Sequence, residues 1–347
     1  MPDRTNLYKK LLNLFCYSYL ALLNNDSLWD GEVAENILNK VYNERLSEDE
    51  RKLLQYVSIF RQPVSAKAIS AIANDPEWSE SKVKRVALRL TRKSLLQRDK
   101  ENYFEESLIS KYASTRLSEK SEHHKFACKY FLSLPLPINP SKIENLQPAI
   151  EAHYHACEAG EYDQAVNILI EWDFPNLLHL WGNSRTLIEI YKKMLPKDHF
   201  KGEPILKDKE VHEKVLGNLG NMYRNLNEPK KAIEYNEQAL IIAREIGDRL
   251  NEGTWLGNIG LAYYSLGELK KAIEYYDQAL KISREIGDRC SRGTWLANMG
   301  LIYSDMGEPK KAIDFLKKAL AIRKSIEDQR IINFCEQKLK ELEGFSE

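Results

Sequence analysis

Three groups of residues in this sequence have types and spacings that could do chemistry. The most charged lies between residues 81 and 100, where Lys82, Lys84, Arg85, Arg89, Arg92, Lys93, Arg98 and Lys100 stand with a single acid, Asp99. Lys82, Arg85, Arg89, Arg92 and Lys93 share one face at helical spacing, with Val83, Val86 and Leu90 opposite. Such a stripe could neutralise phosphates along a major groove, with Arg98 and Lys100 on a following hairpin. It could equally dock on a neighbouring domain of its own chain. The second group is Asn218, Asn258 and Asn298, which recur every 40 residues. Each amide offers donors and an acceptor, so a ladder of them could hold the backbone of an extended peptide. Lys214, Asn221, Arg224, Thr254 and Thr294 fall near them on the same helical face. The bland alternative is amides that bond within their own helix pair. The third group is His123-His124 and His153-x-His155-x-Cys157. His153 and Cys157 share a helical face but His155 does not, and no third ligand is in view, so packing is expected rather than metal binding.

Catalytic machinery is missing from the text. No nucleophile elbow or H-E-x-x-H motif occurs. None of the 16 glycines is followed by Lys, which excludes a G-x-x-x-x-G-K-[ST] phosphate loop. The sequence therefore predicts no catalytic residue, no metal and no cofactor.

The elements that would position these groups are clearest between residues 211 and 330. GNLGNMY at Gly217 returns as GNIGLAY at Gly257 and ANMGLIY at Ala297; KKAIEYNEQAL at Lys230 returns as KKAIEYYDQAL and KKAIDFLKKAL; REIGDR at Arg244 is repeated at Arg284. The 40-residue period marks stacked repeats. Each unit reads as two helices, with Leu216, Leu219, Gly220 and Tyr223 on the first and Ala232, Tyr235 and Ala239 on the second. Gly220 and Ala232 would let the two backbones come close. One such hairpin cannot bury its apolar face alone, so neighbours must stack. Trp255 and Trp295 share a register and are expected to pack on the preceding repeat rather than stand exposed as a binding hot spot. This pattern resembles the tetratricopeptide repeat (TPR), in the lengthened form of kinesin-light-chain and Pins-like proteins. The resemblance implies a right-handed α-solenoid with a concave peptide-binding groove. In Pins-like proteins an Asn at the positions of Asn218, Asn258 and Asn298 grips the partner. Those proteins place Arg where Thr254 and Thr294 stand here, so the resemblance does not carry over a preference for acidic ligands.

Upstream, Ser47 with Glu50 forms a capping box, Ser65 and Ser79 each open a further helix, and LLQRDKENYFE from Leu95 reads as a hairpin. Three helices and a hairpin is the order of a winged helix. Residues 46–130, with ERLSEDERKLLQYVSIFRQPVSAKAI and YFEESLISKYASTRL, resemble the winged-helix segment of STAND signalling ATPases of the NB-ARC class. There the segment stands between the nucleotide-binding module and C-terminal repeats and serves mostly as an intramolecular bracket. The family's sensor His is matched by Glu105, and the Walker A loop is absent. The chain thus resembles the back half of such a protein and is expected not to hydrolyse ATP.

The whole sequence divides into a helical segment (1–45), the winged-helix-like domain (46–130), degenerate TPR-like repeats (145–210), three regular repeats (211–330) and a capping helix (331–347). Of 347 residues 43% are apolar and 29% charged, with 51 basic and 51 acidic side chains. Bulk charge selects no partner, so any nucleic-acid signal must be local. Five dispersed cysteines without a C-x-x-C pair suit a reducing cytoplasm. Residues 11–23 (LLNLFCYSYLALL) are apolar but too short to span a bilayer and lack a cleavage site, so a buried helix is expected. Together these features predict a predominantly all-α, non-enzymatic interaction module. Its expected partner is a protein or peptide in the TPR groove. A separately encoded ATPase is a further candidate partner, and a DNA-binding regulator is the second reading.

Overall fold

The computed structural model describes residues 31–105, 107–196 and 204–344. The apolar run at 11–23, and with it most of the N-terminal segment, lies outside the described residues. The fold is all-α, with 17 helices and one small sheet among the described residues. It divides into two compact units, Met1–Trp172 and Asp173–Glu347.

The first unit contains α1 (Gly31–Glu44), α2 (Glu48–Val57), β1 (Val64–Ser65), α3 (Ala66–Ala73), α4 (Glu80–Arg92), β2 (Gln97–Asp99), β3 (Asn102–Phe104), α5 (Ser107–Ser114), α6 (Lys120–Leu132), α7 (Ile143–Ala159) and α8 (Tyr162–Glu171). Local chemistry starts the helices where the sequence places them. Ser47 and Glu50 form the reciprocal capping box of α2, and Ser65 and Ser79 accept from backbone amides at the heads of α3 and α4. Strand β1 is too short to show any alternation in sequence. It joins the hairpin to make a three-stranded antiparallel sheet in the order β1-β3-β2, with Tyr103 opposite both Val64 and Arg98. Helix, strand, helix, helix and hairpin follow one another in this order. Val83, Val86 and Leu90 of α4 are fully buried. Each is worth roughly 1.5–3 kcal/mol of transfer free energy, which pins the basic face outward.

The second unit runs α9 (Phe174–Leu180), α10 (Ser184–Lys192), α11 (Lys209–Asn225), α12 (Pro229–Ile246), α13 (Arg249–Ser265), α14 (Leu269–Glu285), α15 (Arg289–Asp305), α16 (Pro309–Lys324) and α17 (Gln329–Gly344). Aspartates at the 40-residue period, Asp208, Asp248, Asp288 and Asp328, accept from backbone amides at the heads of α11, α13, α15 and α17. The turns also repeat. Gly267 and Gly307 have positive φ where the first repeat has Asn227, and Gly247 and Gly287 have positive φ where the third has Glu327.

Stacking between repeats depends on glycine. A Cβ on Gly217 would lie 2.3–2.6 Å from ring carbons of Trp255, and one on Gly257 would lie 2.4–2.7 Å from the ring of Trp295. Both tryptophans are buried against the preceding repeat. Within repeats, Gly260 faces the Ala272 carbonyl and Gly300 the Ala312 carbonyl, each at 3.3 Å from a would-be Cβ, so Gly and Ala do bring the paired backbones together. In the first repeat the close neighbour of Gly220 is instead the Asn236 side chain. The three hairpins are also tied by stacked rings, Tyr223 on Tyr235, Tyr263 on Tyr275 and Tyr303 on Phe315. In each, a lysine (Lys231, Lys271 or Lys311) stands 5.0–5.1 Å over the first ring.

Candidate functional site

In the second unit, successive first helices (α11 with α13, α13 with α15) approach one another more closely than successive second helices do. The array therefore curves with its first helices on the inner side. That side carries the asparagines, but the three occupy different environments. The Asn218 amide donates to the Tyr191 hydroxyl at 3.1 Å, and the Asn298 amide donates to Tyr276 at 3.0 Å. Burial raises both phenols above the ordinary range and keeps them neutral. Asn258 is buried, and the residue one repeat before Tyr276 is Asn236, whose amide donates to the Ala232 carbonyl. Part of the ladder thus holds helix to helix.

The neighbours differ as well. Lys214 pairs with Glu210 on its own helix, and this bond raises its pKa. Arg224 is half-buried, and burial lowers its pKa. The Asn221 side-chain oxygen is buried with no hydrogen-bond partner among the described residues. Thr254 and Thr294 donate to the carbonyls of Leu250 and Cys290 four residues back, and Thr294 also accepts from Arg323. Sequence reading missed Tyr264 and Asp305. The Tyr264 hydroxyl donates to Asp305 at 2.6 Å, and burial followed by the carboxylate pushes the phenol up to about 12. Their repeat register, matching Arg224 and Asn225, was the available signal.

The basic stripe on α4 is partly consumed within its own unit. Lys82 pairs with Asp49 at 3.0 Å and lies over the Trp78 ring, while Lys93 and Arg89 converge on Glu50 at 2.9 and 3.7 Å. Burial alone would raise the Glu50 carboxyl, but Lys93 and the Ser47 amide outweigh it and hold it below its usual range. Arg98 pairs with Glu101 across the hairpin turn. Lys84, Arg85, Arg92 and Lys100 are exposed, with no ion pair among the described residues, and Leu88 is exposed beside them.

The histidines pack. His124 and His155 meet through their Nδ1 atoms at 2.7 Å, His155 stacks on Phe131, and His153 lies 3.9 Å from the Cys157 sulfur. Burial, helped by nearby positive charge, lowers His155 to about 2 and His153 to about 3. No group of three or more potential metal ligands occurs among the described residues.

The tetratricopeptide repeat family profile matches residues 212–285 and 265–325. Residues 212–325 are tetratricopeptide repeats. No curated protein matches the chain. Among solved structures, a STAND protein with a tetratricopeptide repeat sensor from Pyrococcus horikoshii is 20% identical, covering 97% of this chain and 53% of its own, with a TM-score of 0.38. The chain thus spans about half the length of that protein. Aspartyl phosphate phosphatase F from Bacillus subtilis is 15% identical over 97% of this chain and 79% of its own, with a TM-score of 0.42. The Rap conjugation gene regulator of plasmid pLS20, solved with the Phr* peptide, is 14% identical over 82% and 69%, with a TM-score of 0.40.

Within the TPR array some positions that recur from repeat to repeat hold the fold together, while others change chemistry between repeats. Gly217 and Gly257 seat tryptophans, whereas Asn221, Leu261 and Leu301 at one register differ in chemistry and remain half-buried on the inner side. No described helix is long and apolar enough to cross a membrane.

Proposed function

We propose that the chain is a non-enzymatic, cytoplasmic interaction module whose TPR inner face takes a peptide or helix of a protein partner. The closer approach of α11, α13 and α15 to one another supports this reading, because a face shared by those helices would gather Lys214, Asn218, Asn221 and Arg224 with Thr254, Asn258, Thr294 and Asn298. Arg224 and Asn221, both half-buried there, would supply a guanidinium and an amide to a ligand. Apolar contact at Leu261 and Leu301 would add burial. The resemblance of the front half to STAND winged helices supports a place as the effector half of such a signalling system, with an ATPase as a separate polypeptide. Capture of a partner from native lysate by the intact chain should fall at least tenfold for the Asn258→Ala, Asn298→Ala double variant when both are assayed well below the melting temperature of the variant, which loss of the Asn298–Tyr276 bond lowers. Equal capture by the variant would remove the asparagines from the binding surface.

A second reading has its own observation, the exposed Lys84, Arg85, Arg92 and Lys100, which have no ion pair among the described residues. These side chains could contact nucleic-acid phosphates, in which case affinity falls steeply with salt and is lost on Arg85→Glu with Arg92→Glu. Duplex binding that ignores both salt and charge reversal would discard it.

A further inference from the structure

Glu105 follows β3 and precedes α5, and its two carboxyl oxygens are shielded from solvent with no hydrogen-bond partner among the described residues. It lines a pocket of about 120 Å³ with Phe60, Arg61, Pro63, Phe104 and Ser110. A shielded carboxyl without a donor is costly to keep, and burial holds it neutral, well above the usual carboxylate range. Arg61, the cation in the same pocket lining, cannot serve it without abandoning another acid. Arg61 makes two hydrogen bonds to Glu151, at 2.9 and 3.3 Å, and its guanidinium lies 3.9 Å from the centre of the Tyr154 ring. Gln147 completes the Glu151 shell. Arg61 and Glu151 therefore cancel as a pair, Ser110 spends its hydroxyl on the Ser58 carbonyl, and Glu105 is left as the one unneutralised acid among the described residues of the pocket lining.

We infer that this pocket receives a guanidinium or ammonium group, with Glu105 as its counter-ion and Phe60 and Phe104 as its apolar walls. Flat aromatic surfaces beside a carboxylate match the faces and edge of a guanidinium. The volume admits one such head group and little more. On binding, the carboxylic acid ionises and its proton leaves to solvent as the cation arrives, so affinity rises with pH. The other charges facing it, Arg61 and behind it Glu151, stay paired.

The test uses the full chain with N-acetyl-arginine amide, ethylguanidinium and N-acetyl-citrulline amide, which keeps the arginine shape without its charge. Calorimetry and NMR titration should give saturable binding of the two cations and at least tenfold weaker binding of citrulline. Near neutral pH, up to one proton should be released per ligand. Tighter binding of the arginine amide points to a partner's side chain, and tighter binding of ethylguanidinium points to a small free cation. Glu105→Gln should weaken both at least tenfold. Glu105→Leu should abolish binding yet raise the melting temperature of the ligand-free protein, an outcome that a purely structural Glu105 would reverse. Equal binding of citrulline, full binding by Glu105→Gln, or no saturation with either cation would overturn the assignment.

Discussion

The two units place charge and rings according to different logics. In the second, contacts recur with the sequence: four aspartate caps, three stacked ring pairs each under a lysine, and two glycine-seated tryptophans. In the first, each polar contact is made once, as in Glu50 under Lys93 and Arg89, Arg61 on Glu151, and His124 against His155. Periodicity spreads stability over many similar interfaces, whereas the aperiodic unit depends on a few buried polar groups. The repeats nevertheless differ where it matters for binding, since the three asparagines share a register and not an environment.

The comparison is broken most severely at the tryptophans. Trp255→Ala and Trp295→Ala should each cost roughly 3–5 kcal/mol in urea unfolding. Replacement by Phe separates them. The Trp255 indole donates to the fully buried Glu213, while the Trp295 indole has no hydrogen-bond partner among the described residues and Gly253 stands where Glu213 would be. Trp255→Phe should therefore cost about 1–3 kcal/mol more than Trp295→Phe. Equal costs would show that the hydrogen bond adds nothing.

Acid should act first on the first unit. His153 and His155 are held neutral by burial, at about 3 and about 2. A depressed folded pKa means full stability above the unfolded value near 6.5, and loss below it until the folded pKa is reached. Each histidine then removes about 1.4 kcal/mol per pH unit between those limits. Hydrogen exchange at pH 5 should show α6 and α7 opening while α13 to α16 stay protected. Simultaneous opening of both regions would contradict the division. His212 is also lowered by burial, which makes α11 the first element of the array expected to follow.

The smallest effect sharpens the repeat rule itself. Glu327 sits at φ 57° where Gly247 and Gly287 occupy the same register. Glu327→Gly should stabilise the array by about 1 kcal/mol by removing left-handed strain. Asn227→Gly should gain less, because Asn tolerates that region. A loss of stability at position 327 would mean that its side chain holds α17 in place.

The sequence by itself determined the array, because a 40-residue period, paired helices and Gly–Ala contacts follow from spacing that any reader can count. It also determined the heads of α2, α3 and α4, since a capping serine acts within one turn and needs no distant partner. The apolar face of α4 and the packing of Trp255 and Trp295 were readable for the same reason, hydrophobic register. Only the tertiary structure decided which polar groups remain free. Lys82, Arg89 and Lys93 are met by Asp49 and Glu50 from another helix, Asn218 and Asn298 by tyrosines more than twenty residues back, and Glu105 by no hydrogen-bond donor among the described residues. Strand β1 was likewise invisible, being two residues defined only by its partner β3. A helix cap or repeat is local chemistry and stays written in the chain, whereas the neutralisation of a charge depends on residues that the fold alone brings near.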